Sequence, residues 1–357
     1  MINMSVMRGY RLDAVELQAE LDTHRQAVDT EYFDLSIREI VRMVEEEEIR
    51  VAPAYQRKFR WPNEVQSALI ESLLLGLPIP AIFVATNKDG TWDVVDGLQR
   101  TATILKFYGI DVPGAEELQF SAEPLKLSNL NQLKKFSGLS YKDLPMPIRL
   151  TLGKRYVRVQ VLSDKSDPGV RFELFRRLNA GAVALTPQEI RSCVFRGPFN
   201  SLIEELAATQ DYKDLLKLQP KNKVDGTAEE IVLKFFAYMD GMDKFDGDVV
   251  GFLNNYIKRR VDDTNLDEDR QIFLKAVSHL KQVTGGHFTR SGVSVTPVNQ
   301  LEGVLIGIAR IFKEGKRPKI PADGWANDEQ LVGFSTQGTN SRPKLRGRIL
   351  RSQELFS

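Results

Sequence analysis

The sequence predicts an α+β chain: a mixed region with a small sheet and flanking helices, followed by an all-helical region. Three observations predict it. Ala81–Thr86 and Thr91–Asp96 are short β-rich runs joined by Asn87-Lys88-Asp89-Gly90, a hairpin signal. Tyr156–Val161 alternates apolar and polar residues, as a half-buried strand does. After about residue 196 strand signals almost vanish, and helical periodicity recurs at 198–208, 227–240, 248–260, 266–283 and 297–313. At 357 residues the chain exceeds what one core usually supports. We therefore divide it into an N-terminal arm (1–34), a mixed domain (35–200) and a helical domain (201–357) with a basic tail.

In order along the chain, the arm is polar, with a helical pattern near 13–28. Ser36 and Glu39 form a capping-box start, and Ile37, Ile40, Val41 and Val44 make one apolar helical face. The Glu45–Glu48 run reads as the solvated end of that helix. Pro62 and Asn63 open a second helix, with Val65, Leu69, Ile70, Leu73 and Leu74 on its buried side and Gly76 as its stop. A third runs from Gln99 to Tyr108 and stops at Gly109. Residues 111–147 are punctuated by Pro and Ser and give no clear assignment. Asp167-Pro168 and Thr186-Pro187-Gln188-Glu189 cap two further helices, and Thr227-Ala228-Glu229-Glu230 has the capping-box pattern again.

Bulk composition excludes several classes. With 42% hydrophobic and 27% charged residues the chain is globular, not disordered or fibrous. A net charge of +1 announces no global basic field, so any DNA surface must be local. The single cysteine, Cys193, excludes intramolecular disulfides and a Cys-based zinc cluster; beside Val194 and Phe195 it reads as a small core residue. No signal-peptide core opens the chain. The longest apolar run, near Leu73–Val84, is broken by Gly76, Pro78 and Pro80, so no membrane span is expected and the location is read as cytoplasmic. His24, His279 and His287 have no metal-ligand spacing, and there is no Walker loop, dinucleotide fingerprint or nucleophile elbow.

The chemistry concentrates in Asp96-Gly97-Leu98-Gln99-Arg100-Thr101, where an apolar strand runs into a helix start. The first N–H groups of a helix lack partners inside it and favour anions. Gly97 lets the backbone approach a ligand, Arg100 offers a planar fork to phosphate oxygens, and Asp96 could hold a divalent metal or orient water. The plain alternative is that Asp96 caps the helix or pairs with Arg100. Upstream, Tyr55-Gln56-Arg57-Lys58-Phe59-Arg60-Trp61 packs aromatics among cations, which suits a nucleobase or equally a core-facing edge segment. Phe175–Gly181 ends a helix; Asn179 can be a simple cap, and Glu189 has a sufficient structural role as partner of Thr186. Arg342, Lys344, Arg346, Arg348 and Arg351 form an acid-free basic tail suited to phosphate contact or to a solvated end.

Taken together, Tyr55-Gln56-Arg57, Phe59, Trp61, Leu73…Gly76…Pro78-Ile79-Pro80, Asp96–Thr101, and Phe175…Leu178-Asn179…Gly181…Leu185-Thr186…Glu189-Ile190-Arg191 resemble the N-terminal domain of GmrSD-type type IV restriction proteins, within the ParB/sulfiredoxin-like superfamily. The resemblance spans roughly 35–200 and implies bacterial defence against phage, often against DNA with modified bases. It ties the DGQQR-like motif to nucleotide binding and hydrolysis, and in ParB-like relatives to nuclease activity. It implies that Asp96, Gln99, Arg100 and Glu189 are catalytic. It implies that Gln56, Arg57, Gly97, Arg100, Thr101, Asn179 and Arg191 hold nucleotide or phosphate. Tyr55, Phe59, Trp61 and the tail residues Arg342, Lys344, Arg346 and Arg348 are the expected nucleobase or DNA contacts. Leu98 replaces the first Gln of the motif, and the HNH half of full-length relatives has no counterpart.

The expected function is therefore a nucleotide-dependent nuclease or NTPase acting on modified phage DNA, using a nucleoside triphosphate and a divalent metal. Two alternatives stand beside it. One is a DNA glycosylase using Asp96 or Glu189 with Tyr55, Phe59 or Trp61 around a flipped base. The other is a non-enzymatic sensor whose helical half docks a separate effector subunit.

Overall fold

The computed structural model describes residues 14–24, 30–51, 61–110, 123–163, 166, 168–178, 185–223 and 225–357. Its organising element is one sheet between two layers of helices. Helix α1 (Ala14–His24) precedes β1 (Thr30–Ser36), α2 (Ile37–Glu45), β2 (Ile49–Arg50), α3 (Asn63–Leu75), β3 (Ile82–Thr86), β4 (Trp92–Asp96), α4 (Leu98–Tyr108), α5 (Met146–Gly153) and β5 (Tyr156–Leu162). The strand order is β1-β5-β3-β4-β2. β1 runs antiparallel to β5 and β4 antiparallel to β3, whereas β3 is parallel to β5 and β2 to β4.

Alternation sends the two sheet faces into different cores. Ile82, Val84, Val94, Val157, Val159 and Val161 join α2, α3, α4 and α5 in one. Ala85, Val95 and Leu162 join the other, with Phe172 and Phe175 of α6 (Pro168–Leu178) and Ile190, Cys193 and Val194 of α7 (Pro187–Val194). That second core continues through α8 (Pro198–Ala208), α9 (Gln210–Leu215), α10 (Thr227–Gly241), α11 (Val249–Arg260), α12 (Asp267–Thr284), α13 (Val298–Lys313), α14 (Glu329–Ser335) and α15 (Arg342–Phe356). Cys193 is buried in it, its thiol 3.0 Å from the Glu189 carbonyl.

The mixed α+β class and the all-helical remainder are as the sequence predicts. Several local expectations need correction. The last residues of the expected arm are a strand, and β1 pairs with β5 from Thr30 to Ser36. Ser36 does cap α2, accepting from the Glu39 N–H at 3.2 Å, but the Glu39 carboxylate turns to Arg42 instead of closing the box. Val65 is 42% exposed; Gln66, Ser67 and Glu71 take the buried side of α3 with Leu69, Ile70 and Leu73. The box at Thr227 does not form: Gly226 occupies the cap, Thr227 donates to Asp225, and Glu230 pairs with Arg191. The basic tail is the helix α15, packed on α13 where Gly303 and Gly307 leave room for Arg348 and Ser352. Among the described residues no helix is long and apolar enough to cross a membrane.

Candidate functional site

β4 ends at Asp96 and α4 begins at Leu98, so the whole reversal falls on Gly97, at φ +104° and ψ 10°. No side chain caps α4. Asp96 therefore does not cap. Its carboxylate accepts instead from the Arg100 Nη2 at 2.5 Å, one helical turn on. Arg100 is 11% exposed and Asp96 37%, so the pair is open on the carboxylate side. A Cβ on Gly97 would stand 3.2 Å from both the Arg100 Nη2 and the Ile82 Cγ1. Thr101 follows in the first turn, buried, its hydroxyl without a hydrogen-bond partner.

Gln99 joins this turn to the upstream polar cluster. Its Oε1 accepts the Trp61 N–H at 3.1 Å, while the Trp61 carbonyl accepts from the Gln66 Nε2 of α3 at 2.6 Å. Two amides thus hold the Trp61 backbone, Gln99 from the start of α4 and Gln66 from α3. Tyr55, Gln56, Arg57 and Phe59 lie outside the described residues, as does Asn179. Gln66 had not been singled out from the sequence. The available signal was a polar residue at a core-facing position of an otherwise apolar periodicity.

Other described site candidates are engaged in contacts within the fold. Glu189 is buried and closes a true capping box, accepting from the Thr186 N–H at 2.6 Å while Thr186 accepts from the Glu189 N–H at 3.2 Å. Arg191 has no exposed surface on its side chain. It donates to Gln188 at 2.9 Å, to Asn254 at 3.4 Å and to Glu230 at 2.5 Å. Glu230 also pairs with Lys234 at 3.0 Å; Lys234 reaches Glu302 at 3.2 Å, and Glu302 reaches Arg348 at 3.4 Å. Burial pushes the Glu230 carboxyl up, but Lys234 and Arg191 more than offset it and hold it below its ordinary value. The guanidinium of Arg191 is thus committed to a buried network linking α7, α10, α13 and α15. Charges inside apolar runs, Lys234 after Val232-Leu233 and Glu302 after Leu301, were its sequence signal.

The tail is similarly engaged. Arg342 donates to the Phe245 carbonyl at 2.7 Å and Lys344 to the Gly333 carbonyl at 2.6 Å. Arg348 is buried, with the Thr339 carbonyl 2.8 Å away. Arg346 stays 59% exposed, with Asp243 at 3.6 Å. On the sheet face toward the helical core, Asp93 is buried and pairs with Arg196 at 2.6 Å; burial pushes its carboxyl up against the pull of Arg196. Among the described residues no three His, Cys, Asp or Glu side chains come together as a metal cluster.

No curated protein matches the chain. Residues 37–196, which begin with α2 and end just past α7, match the family described as the GmrSD restriction endonuclease, N-terminal domain. This part of the chain is similar to the N-terminal domain of GmrSD-type restriction endonucleases.

Proposed function

We propose that the chain acts in restriction of phage DNA, and that the turn from Asp96 to Arg100 is its phosphate-handling centre, hydrolysing a nucleoside triphosphate in support of DNA cleavage. The similarity to a GmrSD-type domain ties the chain to restriction. What carries the reading of the site is one convergence: a carboxylate, a guanidinium and an uncapped helix start at one glycine turn, with the Trp61 backbone held against Gln99. Free N–H groups at a helix start and a planar guanidinium both complement a phosphate. Asp96 keeps Arg100 oriented and presents its exposed side to a ligand or a water. A divalent ion arriving on the triphosphate would find Asp96 as its carboxylate ligand and would neutralise developing phosphate charge.

The test incubates purified protein with modified and plain phage DNA, with and without nucleoside triphosphate and metal. Inorganic phosphate, strand breaks and free base are each resolved. Hydrolysis and strand cleavage are expected, and Arg100→Ala or Asp96→Asn should lower them by roughly 10²–10³-fold. Absence of cleavage, base release and hydrolysis under every condition would reject an enzyme. Free base from intact strands would make it a glycosylase. Unchanged protection of cells after Asp96→Ala would make it a sensor.

A further inference from the structure

Between residues 124 and 155 the chain carries Lys126, Lys134, Lys135, Lys142, Arg149 and Lys154, besides Arg155, against a single acid, Asp143. For a molecule of net charge +1 this is a pronounced local imbalance. The segment lies over α2, α3 and α4 with its apolar side down. Leu125, Leu127, Leu130, Leu144 and Leu152 enter the core shared with those helices. Five of the six cations are exposed and Arg149 is half-buried. The segment is held in shape from below: the Glu71 carboxylate of α3 accepts three backbone N–H groups, from Asn131, Gln132 and Leu133, and Gly138 donates to the Leu127 carbonyl.

Separate contacts tie parts of the segment together. The charge of Lys126 helps lower the Asp143 carboxyl, whose main stabiliser is the Ser140 hydroxyl. Arg149 lies 5.9 Å from the Tyr141 ring centre, and Tyr141 stacks on Tyr108 at 4.0 Å. The Arg38 guanidinium of α2 lies about Gly153, adjacent to Lys154. Other surface arginines are neutralised, among them Arg42 by Glu39, Glu46 and Glu48, and Arg270 by Glu205 and Asp267. Among the described residues none of the six cations, nor Arg38, enters an ion pair. A segment whose cations outnumber its acids and enter no ion pair presents a local positive field suited to an anionic partner.

We propose that this cationic strap, Lys126 to Lys154 with Arg38, is the surface on which the protein grips the DNA backbone. It rests on the reading that DNA is the substrate, and it moves the phosphate contacts from the C-terminal tail to the mixed domain. The tail is less suited, because Arg348 is buried against the Thr339 carbonyl and Glu302, while Arg342 and Lys344 each give a donor to a backbone carbonyl and Arg346 lies near Asp243. Contacts of this type are independent of base sequence, so the strap supplies affinity, and recognition of a modified base lies elsewhere.

The full chain is titrated with a labelled random-sequence DNA duplex over a range of salt concentrations. Lys134→Glu/Lys135→Glu and Lys142→Glu/Lys154→Glu should each weaken binding roughly tenfold or more, and flatten log K against log salt by about 0.9 for each phosphate contact removed. Lys344→Glu/Arg346→Glu should stay within about twofold of wild type. Thermal unfolding, together with the Lys→Gln versions of each pair, separates lost binding from lost folding. Strap variants that bind like wild type, or a wild type without salt-dependent DNA binding, overturn the proposal. It is likewise overturned if these variants lose phosphatidylserine-rich vesicles instead of DNA. Asp96→Asn tells the two readings apart: it should keep DNA binding while losing hydrolysis. Strap variants losing DNA where wild type hydrolyses nothing would sustain the surface and sink the catalytic site.

Discussion

At Gly97 the backbone and its neighbours make the same demand, that no side chain be present. A φ of +104° lies beyond the left-handed region that L residues tolerate, and a Cβ would press on Arg100 and Ile82 at 3.2 Å. Gly97→Ala should therefore cost about 1–3 kcal/mol of stability, read from the denaturant midpoint. It should also displace Arg100 from Asp96, so phosphate binding falls further than stability does. A variant as stable as wild type would mean that the turn relaxes without strain. The residues of this turn were legible in sequence because their types are rare in combination: a glycine between an apolar strand and a helix, followed by an arginine one turn on. Spacing offered the Asp96 carboxylate both capping of α4 and pairing with Arg100, and the structure shows the pairing. The N-cap position itself falls on Gly97, which leaves Asp96 one residue before it.

At the scale of the element, legibility followed how locally each element is stabilised. Helices α2, α3 and α10 announce themselves through apolar residues one turn apart, and they bury that stripe, Val65 at the start of α3 excepted. β1 gave no such signal. It is an edge strand, with Glu31, Tyr32, Phe33 and Asp34 all exposed, and its pairing comes from β5 more than a hundred residues away. Capping boxes have different outcomes: Glu189 closes on Thr186, while Glu39 is captured by Arg42 and Glu230 by Arg191 and Lys234. The Glu230 network has a consequence in pH. Its carboxyl is held below the ordinary value of 4.5, so its stabilising contribution is fully present above that value and is lost as pH falls through the lowered one. The stability gap between wild type and Glu230→Gln, from urea unfolding, should be constant near neutrality and shrink in acid. Glu230→Ala leaves the Arg191 guanidinium buried and should cost about 3–5 kcal/mol at neutral pH.

For the whole molecule the decisive fact is that one sheet serves two cores. Ile82, Val84 and Val94 face α2 to α4, while Ala85, Val95 and Leu162 face α6, α7 and the helices beyond. Composition placed a boundary at residue 200, where strand signals give way to helical ones. Core packing crosses that point: Phe172, Phe175, Ile190 and Val194 share their core with Leu233, Phe236 and Phe273. The change in secondary-structure type was legible because it is local. The sharing of a core was not, because it depends on which face of each strand a distant helix covers. A chain ending at residue 200 would bare that apolar side of the sheet along with α6 and α7, and would cut Arg191 off from Glu230 with its charge still to be hydrated. It should be insoluble, or compact without fixed packing, showing helical far-ultraviolet circular dichroism, weak near-ultraviolet signal and strong binding of a hydrophobic dye. The full chain should unfold with coincident far- and near-ultraviolet transitions, since neither core can lose the sheet alone. A soluble 1–200 fragment with sharp side-chain resonances would show that the mixed half folds independently, and that the second core is assembled on a sheet already formed.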